Sequence, residues 1–380
     1  MSKILSMGTI KENENAFNEY KENHNIELIA SLNKQKFTIK GSSNQKNFEN
    51  TVKKANDLLY TPRITQETIE TSINRIKDSL NRKKDSAISL YIENEAKTNP
   101  LYTSKQEILK HIDNVTIEDV KNLHEYIINN SVGFITTNIP QKNEEFGSLS
   151  KETFSNLKDV KPYKNTTKKV YQENLKTTVL TKEQANSQAD IVQVHKFKFE
   201  NSTKEIAMME ILNTLLSSSS IGLFNTLREK EHLAYSVYSN IDRIGDSAEL
   251  SCHILTTTDN KNIGEISYDN VQKSINGFNR QINALKNSEY SDEDLERAKI
   301  IFKAKLLNKE GTNSKLKPLK RRIESKVGIN YDNEIYNLID TISREDINNF
   351  AQKVFNAPPI YSIVASKDTL NANKDFFETL

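Results

Sequence analysis

An arginine and a tyrosine seven residues apart are the side chains of this sequence best suited to chemistry. Arg228 and Tyr235 lie in the stretch LFNTLREKEHLAYSVYS, residues 223–239. A guanidinium can hold a carbonyl or carboxylate, and a phenol can donate a hydrogen bond to an oxygen on which negative charge develops. The sequence therefore places a cation and a phenol close together. Spacing alone favours a solvated arginine beside a half-buried strand tyrosine.

The pattern around the pair predicts a helix followed by a strand. Apolar residues recur at helical spacing over residues 221–230, and they alternate with polar residues from Leu233 onward. The alternation predicts that Leu233, Tyr235 and Val237 share one face of the strand. The change from helix to strand is expected near His232.

The same stretch resembles a C-terminal-domain signature, LFxxLREKxGLAYSV, of the pitrilysin and insulinase superfamily of zinc peptidases, which includes the mitochondrial processing peptidases. This resemblance implies the pitrilysin/LuxS-like metallopeptidase fold. It also implies that Arg228 and Tyr235 contact the substrate and help to stabilise the tetrahedral intermediate.

The zinc motif of that family has no counterpart here. Members carry His-x-x-Glu-His before a stretch like MLFKGT, and residues 4–9, ILSMGT, fall where MLFKGT would be. The resemblance then puts Ser2 at the general-base Glu, Lys3 at the second His and Ser79 at the third ligand. None of the six His residues has the spacing of such a motif. Because catalytic zinc needs three close protein ligands, we expect no metal in this chain.

Composition limits the compartment and the partners. The 380 residues suffice for two to three domains, and the net charge of +2 gives no support for a nucleic-acid partner. A single cysteine, Cys252, excludes an internal disulfide and favours a reducing compartment. No apolar run reaches membrane-spanning length. We therefore expect a cytoplasmic protein without a membrane partner.

The chain contains an internal repeat. A capped helix followed by a strand is predicted near the end of each half, at residues 115–137 and 341–365, with Asp119 matching Asp346. Other equivalent pairs are Leu123 with Phe350, Phe134 with Tyr361, Ile69 with Leu295, Phe17 with Phe224, and Ile26 with Leu233. In the first copy Lys21 stands at the arginine position, so only the second copy carries the Arg/Tyr pair.

We therefore predict an α+β fold of two homologous domains, each a β-sheet with helices packed against it. The N-terminal pitrilysin-type domain covers residues 1–140, lacks the zinc motif and looks abbreviated at its N-terminus. A polar, Lys-rich linker follows at residues 141–178. The C-terminal pitrilysin-type domain, with the Arg/Tyr signature, covers residues 179–380.

Three other features are weaker candidates. The serines at residues 217–220 suit a tight turn before the signature helix, and no motif for a serine nucleophile surrounds them. The basic stretch KLKPLKRR, residues 315–322, fits a charged loop or a positive wall of a peptide chamber. Cys252 and His253 are adjacent in a predicted strand, so they should point to opposite faces and make poor partners.

Three functional hypotheses follow. The favoured one is a non-metal-binding subunit of a heterodimeric pitrilysin-type peptidase. Arg228 would bind the peptide substrate, Tyr235 would stabilise the oxyanion, and a homologous partner subunit would carry the zinc. The alternative is a catalytically inert structural or peptide-binding homologue. The third hypothesis, a truncated autonomous peptidase, is disfavoured by Ser79.

The isolated chain should bind no stoichiometric zinc and cleave no peptide, because the positions matching the metal ligands hold Lys3 and Ser79. Metal analysis of the purified chain tests this expectation. One tightly bound zinc ion per chain would contradict it.

Overall fold

The chain, described here by a computed structural model, divides into two compact units. The first comprises Met1–Lys84 and Thr103–Asn165, and the second comprises Asp85–Tyr102 and Thr166–Leu380. The structure describes residues 1–33, 36–131, 135–137, 147–148, 151–152, 155, 171–260, 264–307 and 331–380. The domain boundaries drawn from the sequence, at positions 140 and 178, remain a prediction.

The first unit combines a two-stranded antiparallel hairpin with helices. Its first elements are α1 (Ser2–Leu5), α2 (Glu14–Asn23), β1 (Ile26–Asn33), β2 (Lys36–Ser43), α3 (Phe48–Tyr60) and α4 (Gln66–Arg82). The next helix, α5 (Ala87–Glu95), belongs to the second unit. The first unit then continues with α6 (Lys105–His111) and α7 (Ile117–Asn130). Buried side chains between the hairpin, α2 and α3 are Phe17, Ile26, Leu28 and Leu58. A second cluster joins α1, α4 and α7 through Ile4, Ile69 and Val120.

The second unit is built on a five-stranded sheet. Its further elements are β3 (Thr178–Glu183), β4 (Gln188–Lys198), α8 (Thr203–Ser217), a π-helix (Phe224–Lys230), β5 (Ala234–Ile244), β6 (Ser247–Thr257), β7 (Asp259–Asn260), β8 (Glu265–Ile266), α9 (Asn270–Lys286), α10 (Asp292–Leu307), α11 (Tyr331–Ile339), α12 (Arg344–Phe355), β9 (Ile360–Ala365), α13 (Lys367–Ala372) and α14 (Lys374–Thr379). The strand order is β3-β9-β4-β6-β5, with β3 and β9 parallel and the other neighbours antiparallel. The predicted α+β class is confirmed.

One face of this sheet forms the main core of the unit. In β6, Ala248, Leu250, Cys252 and Ile254 are fully buried in a cluster shared with the helices α8, α9 and α12. The residues between them point to the other face, because successive side chains of a strand alternate. Cys252 and His253 therefore lie on opposite faces, as the sequence predicted.

The segment Asp85–Tyr102 covers part of the opposite face. Ala87 and Tyr91 of α5 pack against Val192, Val194 and Ile360. All six residues of β9 are consequently buried, since helices lie against one face of this strand and α5 against the other. Apart from Ser362, this strand is a run of apolar and aromatic residues without alternation.

Buried polar contacts also attach this segment to the sheet. Lys196 Nζ lies 3.0 Å from a carboxylate oxygen of Glu95, and both side chains are less than one-tenth exposed. The hydroxyls of Tyr91 and Tyr102 donate to one oxygen of Glu249 at 2.7 and 2.8 Å. Burial raises the pKa of the Glu249 carboxyl, and the two tyrosine hydrogen bonds oppose that shift. A buried carboxyl group needs such partners to offset its desolvation.

The predicted repeat recurs in the capping of equivalent helices. Thr116 and Asp119 form a reciprocal capping box at the start of α7, and Ser343 and Asp346 do the same at the start of α12. The equivalent residues Ile69 and Leu295 are both buried, in α4 and α10. One match differs, since Leu123 is 41% exposed whereas Phe350 is buried.

The two copies of the signature share a backbone turn. Asn25 between α2 and β1 has φ 49°, and His232 between the π-helix and β5 has φ 53°. These residues occupy the same position in the repeat, directly before the equivalent buried residues Ile26 and Leu233. A left-handed conformation is uncommon for residues other than glycine. Its recurrence supports a common origin of the two halves.

Several predicted features lie outside the described residues. They include Phe134, most of the linker with Lys161, Lys164, Lys168 and Lys169, and the basic stretch at residues 315–322. Among the helices that the structure describes, none is long and apolar enough to cross a membrane.

We expect the folded chain to lose stability in mild acid, because His195 is buried. Burial lowers the pKa of its imidazole to about 4, and Gln193 Nε2 lies 3.0 Å from its Nε2. In the unfolded chain the imidazole is protonated near pH 6.5, whereas in the folded chain it is protonated only near pH 4. Stability is therefore lost as the pH falls from 6.5 toward 4. We expect a decrease of about 2 kcal/mol between pH 7 and pH 5, measured by urea unfolding. The decrease should shrink in His195→Gln, and an unchanged pH dependence in this variant would refute the assignment.

Gly222 should be required by the turn before the π-helix. A Cβ added there would lie 2.5 Å from Ser218 N and 2.6 Å from Leu215 O, both backbone atoms. Gly222→Ala should therefore destabilise the chain by about 1–3 kcal/mol, as overpacking does. The control is Gly147→Ala, where an added Cβ meets no atom within 4 Å. Equal melting temperatures for the two variants would contradict the expectation.

Candidate functional site

The Arg/Tyr pair lies where the π-helix passes into β5. The predicted helix is present, but its turn is wider than that of an α-helix: Glu231 N donates to Thr226 O, five residues back, at 3.0 Å. Leu227 is fully buried and sits against Gly277 of α9, where any side chain would collide with it. Single π-helical turns are rare and frequently occur at functional sites.

A β-bulge changes the direction of Tyr235. Ala234 pairs with Thr256 and Ser236 pairs with Leu255, so Tyr235 is an extra residue without a partner on β6. Leu233 and Val237 are buried, whereas Tyr235 is 86% exposed. The prediction that these three residues share one face was wrong, because an unbroken alternation assumes a strand without a bulge.

The pair comes together through aromatic contacts. The guanidinium carbon of Arg228 lies 4.5 Å from the ring centroid of Phe224 and 4.8 Å from that of Tyr235. Cation–π contacts at such distances each contribute about 0.5–1 kcal/mol at exposed sites. Arg228 Nε also lies 3.4 Å from a carboxylate oxygen of Glu229. The two rings therefore limit the positions that the guanidinium adopts.

This arrangement suits the binding of a polar, extended ligand. The side chain of Arg228 is about one-third exposed, so its donors can reach an incoming carbonyl or carboxylate. The Tyr235 ring is exposed to solvent near the start of the edge strand β5, where its hydroxyl is available as a hydrogen-bond donor. A fixed cation beside a phenol fits an oxyanion better than it fits an apolar ligand.

The position matched to the third zinc ligand, Ser79, lies among cationic side chains. Ser79 lies in α4, in a cavity of about 540 Å³ that it lines with Arg75, Asp78, Arg82 and Lys83. Arg75 makes a bidentate ion pair with Glu14, at 2.9 and 3.0 Å. Three cations and one carboxylate repel a divalent metal rather than bind it. Among the described residues, no group of three or more His, Cys, Asp or Glu is placed to hold a metal ion.

A second polar group was not foreseen from the sequence. His253 stands opposite Tyr238 in the ladder between β5 and β6, and its Nδ1 contacts the Tyr238 hydroxyl. Its Nε2 lies 2.6 Å from Asp190 Oδ1, on β4. The other oxygen of Asp190 accepts a hydrogen bond from Ala87 N, at 2.9 Å. Period-two alternation places His253 on the outer face, but only strand order and register show what it meets there.

The serine-rich turn has a structural role. Ser218 Oγ accepts from Ser220 N at 3.1 Å, and Ser218 O accepts from Gly222 N at 3.0 Å. The Ser217 hydroxyl contacts the hydroxyl of Ser239 on β5. These contacts tie the end of α8 to the strand that carries Tyr235.

Comparison with known proteins supports the resemblance. A family model described as the peptidase M16 inactive domain matches residues 114–302, just under half of the chain. No curated protein matches the chain.

Solved structures share its fold. The peptidase M16 inactive domain from Pseudomonas fluorescens is 14% identical, with a TM-score of 0.77 over 96% of this chain and 86% of that one. A protease from Helicobacter pylori is 14% identical, with a TM-score of 0.75 over 96% and 88% of the two chains. The periplasmic protease PqqL from Escherichia coli is 11% identical, with a TM-score of 0.69, and the match covers 96% of this chain but 40% of PqqL.

The family model covers the Arg/Tyr signature itself, and the shared fold extends over nearly the whole chain. Residues 114–302 are therefore similar to the peptidase M16 inactive domain, and nearly the whole chain shares the fold of the solved structures named above.

Proposed function

We propose that this chain is the non-metal-binding subunit of a heterodimeric M16 peptidase. Its substrate is a peptide, and its partner is a homologous subunit that carries zinc. The observation that carries the proposal is the exposed Arg228 and Tyr235 pair, built by a π-helix and a β-bulge. The bulge turns the large aromatic side chain of Tyr235 into solvent.

The two side chains would play different parts in peptide hydrolysis. The partner's zinc, when bound, supplies the activated water. The Arg228 guanidinium would hold a backbone carbonyl of the peptide, in the ground state and in the transition state alike. The Tyr235 hydroxyl would donate to the oxygen of the scissile carbonyl as negative charge develops there. Loss of one such donor typically costs about 3–4 kcal/mol in the transition state.

A catalytically inert peptide-binding or structural homologue is the competing function. The cavity lined by cations around Ser79 agrees with either possibility, since both lack a metal in this chain. The Tyr235 hydroxyl distinguishes them, because a homologue that only binds peptide would use the Arg228 guanidinium but would not need a donor to a developing oxyanion.

We also propose a cytoplasmic location. The support is the single, fully buried cysteine, Cys252. Fractionation of cells that produce the full-length protein tests this, and recovery in the periplasm would contradict it.

Tyr235→Phe should lower kcat of the assembled complex about 10- to 1000-fold and leave KM nearly unchanged, because the lost hydrogen bond belongs to the transition state. The measurement is steady-state cleavage by the chain reconstituted with a zinc-bearing homologue from the same genome. Tyr126→Phe is the control, since Tyr126 is also exposed, at 65%, but lies on α7. Full activity of Tyr235→Phe in a verified complex would favour the inert homologue.

Arg228→Ala should instead act mainly on KM, which we expect to rise at least fivefold, because the guanidinium holds the substrate throughout the reaction. Arg63→Ala is a matched control: its side chain is 30% exposed and pairs with Glu67, much as Arg228 is 32% exposed and pairs with Glu229. Both arginine variants should keep the melting temperature within a few degrees. An Arg228→Ala variant that unfolds would show that the residue is structural.

A further inference from the structure

The outer face of the second unit carries a hydrogen-bonded series that crosses three strands. It runs from Tyr238 on β5 to His253 on β6, then to Asp190 on β4, and ends at Ala87 N at the start of α5. The rings of Tyr238 and His253 meet edge to face, with centroids 4.8 Å apart. Side-chain exposure is 15% for Asp190 and 21% for His253, and Tyr238 is 46% exposed. The series therefore leads from a shielded carboxylate to a solvent-facing hydroxyl.

The partners of the two ring nitrogens limit where the protons lie. An ionised carboxylate only accepts, so His253 Nε2 donates to Asp190. When the imidazole is neutral, Nδ1 is the acceptor and the Tyr238 hydroxyl donates to it. What remains open on the Tyr238 oxygen is a lone pair, which accepts a hydrogen bond from a ligand.

Two observations oppose a role for Tyr238 as a nucleophile. Partial burial, and then the negative charge of Asp190, raise the pKa of the Tyr238 phenol, so it stays protonated. The hydroxyl of a protonated, oriented phenol suits binding instead of covalent chemistry.

Position along the strand gives the class of ligand. Tyr238 follows Tyr235 by three residues on β5, the last strand of the sheet order, and three residues of a strand span about 10 Å. An extended peptide that reaches the Arg228 and Tyr235 pair can therefore reach Tyr238 with a residue further along its own backbone. The donor that every peptide offers at regular spacing is its amide N–H.

We propose that Tyr238 is a second substrate-binding residue, whose oxygen accepts a hydrogen bond from a backbone N–H of the bound peptide. His253 and Asp190 are positioning residues that orient the hydroxyl. This inference rests on the proposed function, because it assigns the ligand of the same peptide site. It adds a binding group that lies beyond the oxyanion and acts on affinity rather than on the chemical step.

Binding to the full chain without any partner tests the inference. The probe is a fluorescein-labelled decapeptide mixture of random sequence, followed by fluorescence anisotropy. Tyr238→Phe should weaken binding about 3- to 10-fold, the usual range for one lost hydrogen bond. Tyr126→Phe, on an exposed tyrosine of the first unit, should bind like the unaltered chain.

The variants separate this inference from the proposed function. Weaker binding by both Tyr238→Phe and Arg228→Ala supports the two together. If Arg228→Ala binds weakly and Tyr238→Phe binds normally, the inference fails and the proposed function stands. The reverse result leaves Tyr238 as a binding residue and removes the role of Arg228. If the unaltered chain binds none of the mixture, the inference fails, and the proposed function is decided by the kinetics of Tyr235→Phe in the assembled complex.

Nitrogen NMR of the chain labelled at its six histidines gives a readout of orientation. His253 should show a protonated Nε2 and an acceptor Nδ1, and the Nδ1 resonance should move on addition of the peptide mixture. In Tyr238→Phe the peptide should no longer move it. A protonated Nδ1 with a bare Nε2, or a resonance that ignores the peptide in the unaltered chain, would overturn the assignment.

Discussion

The position of Arg228 between two aromatic rings is the contact on which the rest of the site depends. It requires Phe224 one helical turn before the arginine and Tyr235 just after the junction, on the same side. The π-helix and the left-handed His232 supply the first part of this geometry, and the bulge at Tyr235 supplies the second. Without the extra residue in the strand, the tyrosine would point into the core beside Leu233 and Val237.

The five-stranded sheet provides the stability that offsets these local irregularities. Its central strands are buried on one face by α8, α9 and α12, and α5 covers β9 and β4 on the other. The buried Lys196 and Glu95 pair and the two tyrosines on Glu249 attach the segment Asp85–Tyr102 to the same sheet. A rigid centre thus supports an edge strand whose outer face stays polar. Binding groups placed on such an edge keep their geometry when a ligand arrives.

Local sequence patterns predicted local structure well. The helix-to-strand junction, the capping boxes at Thr116 and Ser343, and the opposite orientation of Cys252 and His253 all follow from short-range rules of spacing and capping. The bulge did not, because it depends on how β5 pairs with Thr256 and Leu255 of another strand. The wider turn of the signature helix likewise depends on tertiary packing, where Leu227 sits against Gly277.

The contacts of His253 with Tyr238 and Asp190 were beyond the sequence for the same reason. Residues separated by 15 and 63 positions meet only once the strand order and register are known. The packing of α5 against the five-stranded sheet could not be predicted either, because the segments before and after α5 in the sequence belong to the first unit. By contrast, the sequence alone suggested the Arg/Tyr pair as a candidate site, because its resemblance to a known signature carries information that periodicity lacks, and its role stays a prediction.

Photo-crosslinking from position 235 tests most directly whether the chain lends its Arg/Tyr pair to a zinc-bearing partner. A photoreactive amino acid would replace Tyr235 by amber suppression, with position 126 on α7 as the control site. The account predicts that position 235 crosslinks to the peptide in the presence of the partner, and that position 126 does not. A complex that binds peptide, yet shows no crosslink between position 235 and that peptide, would contradict it.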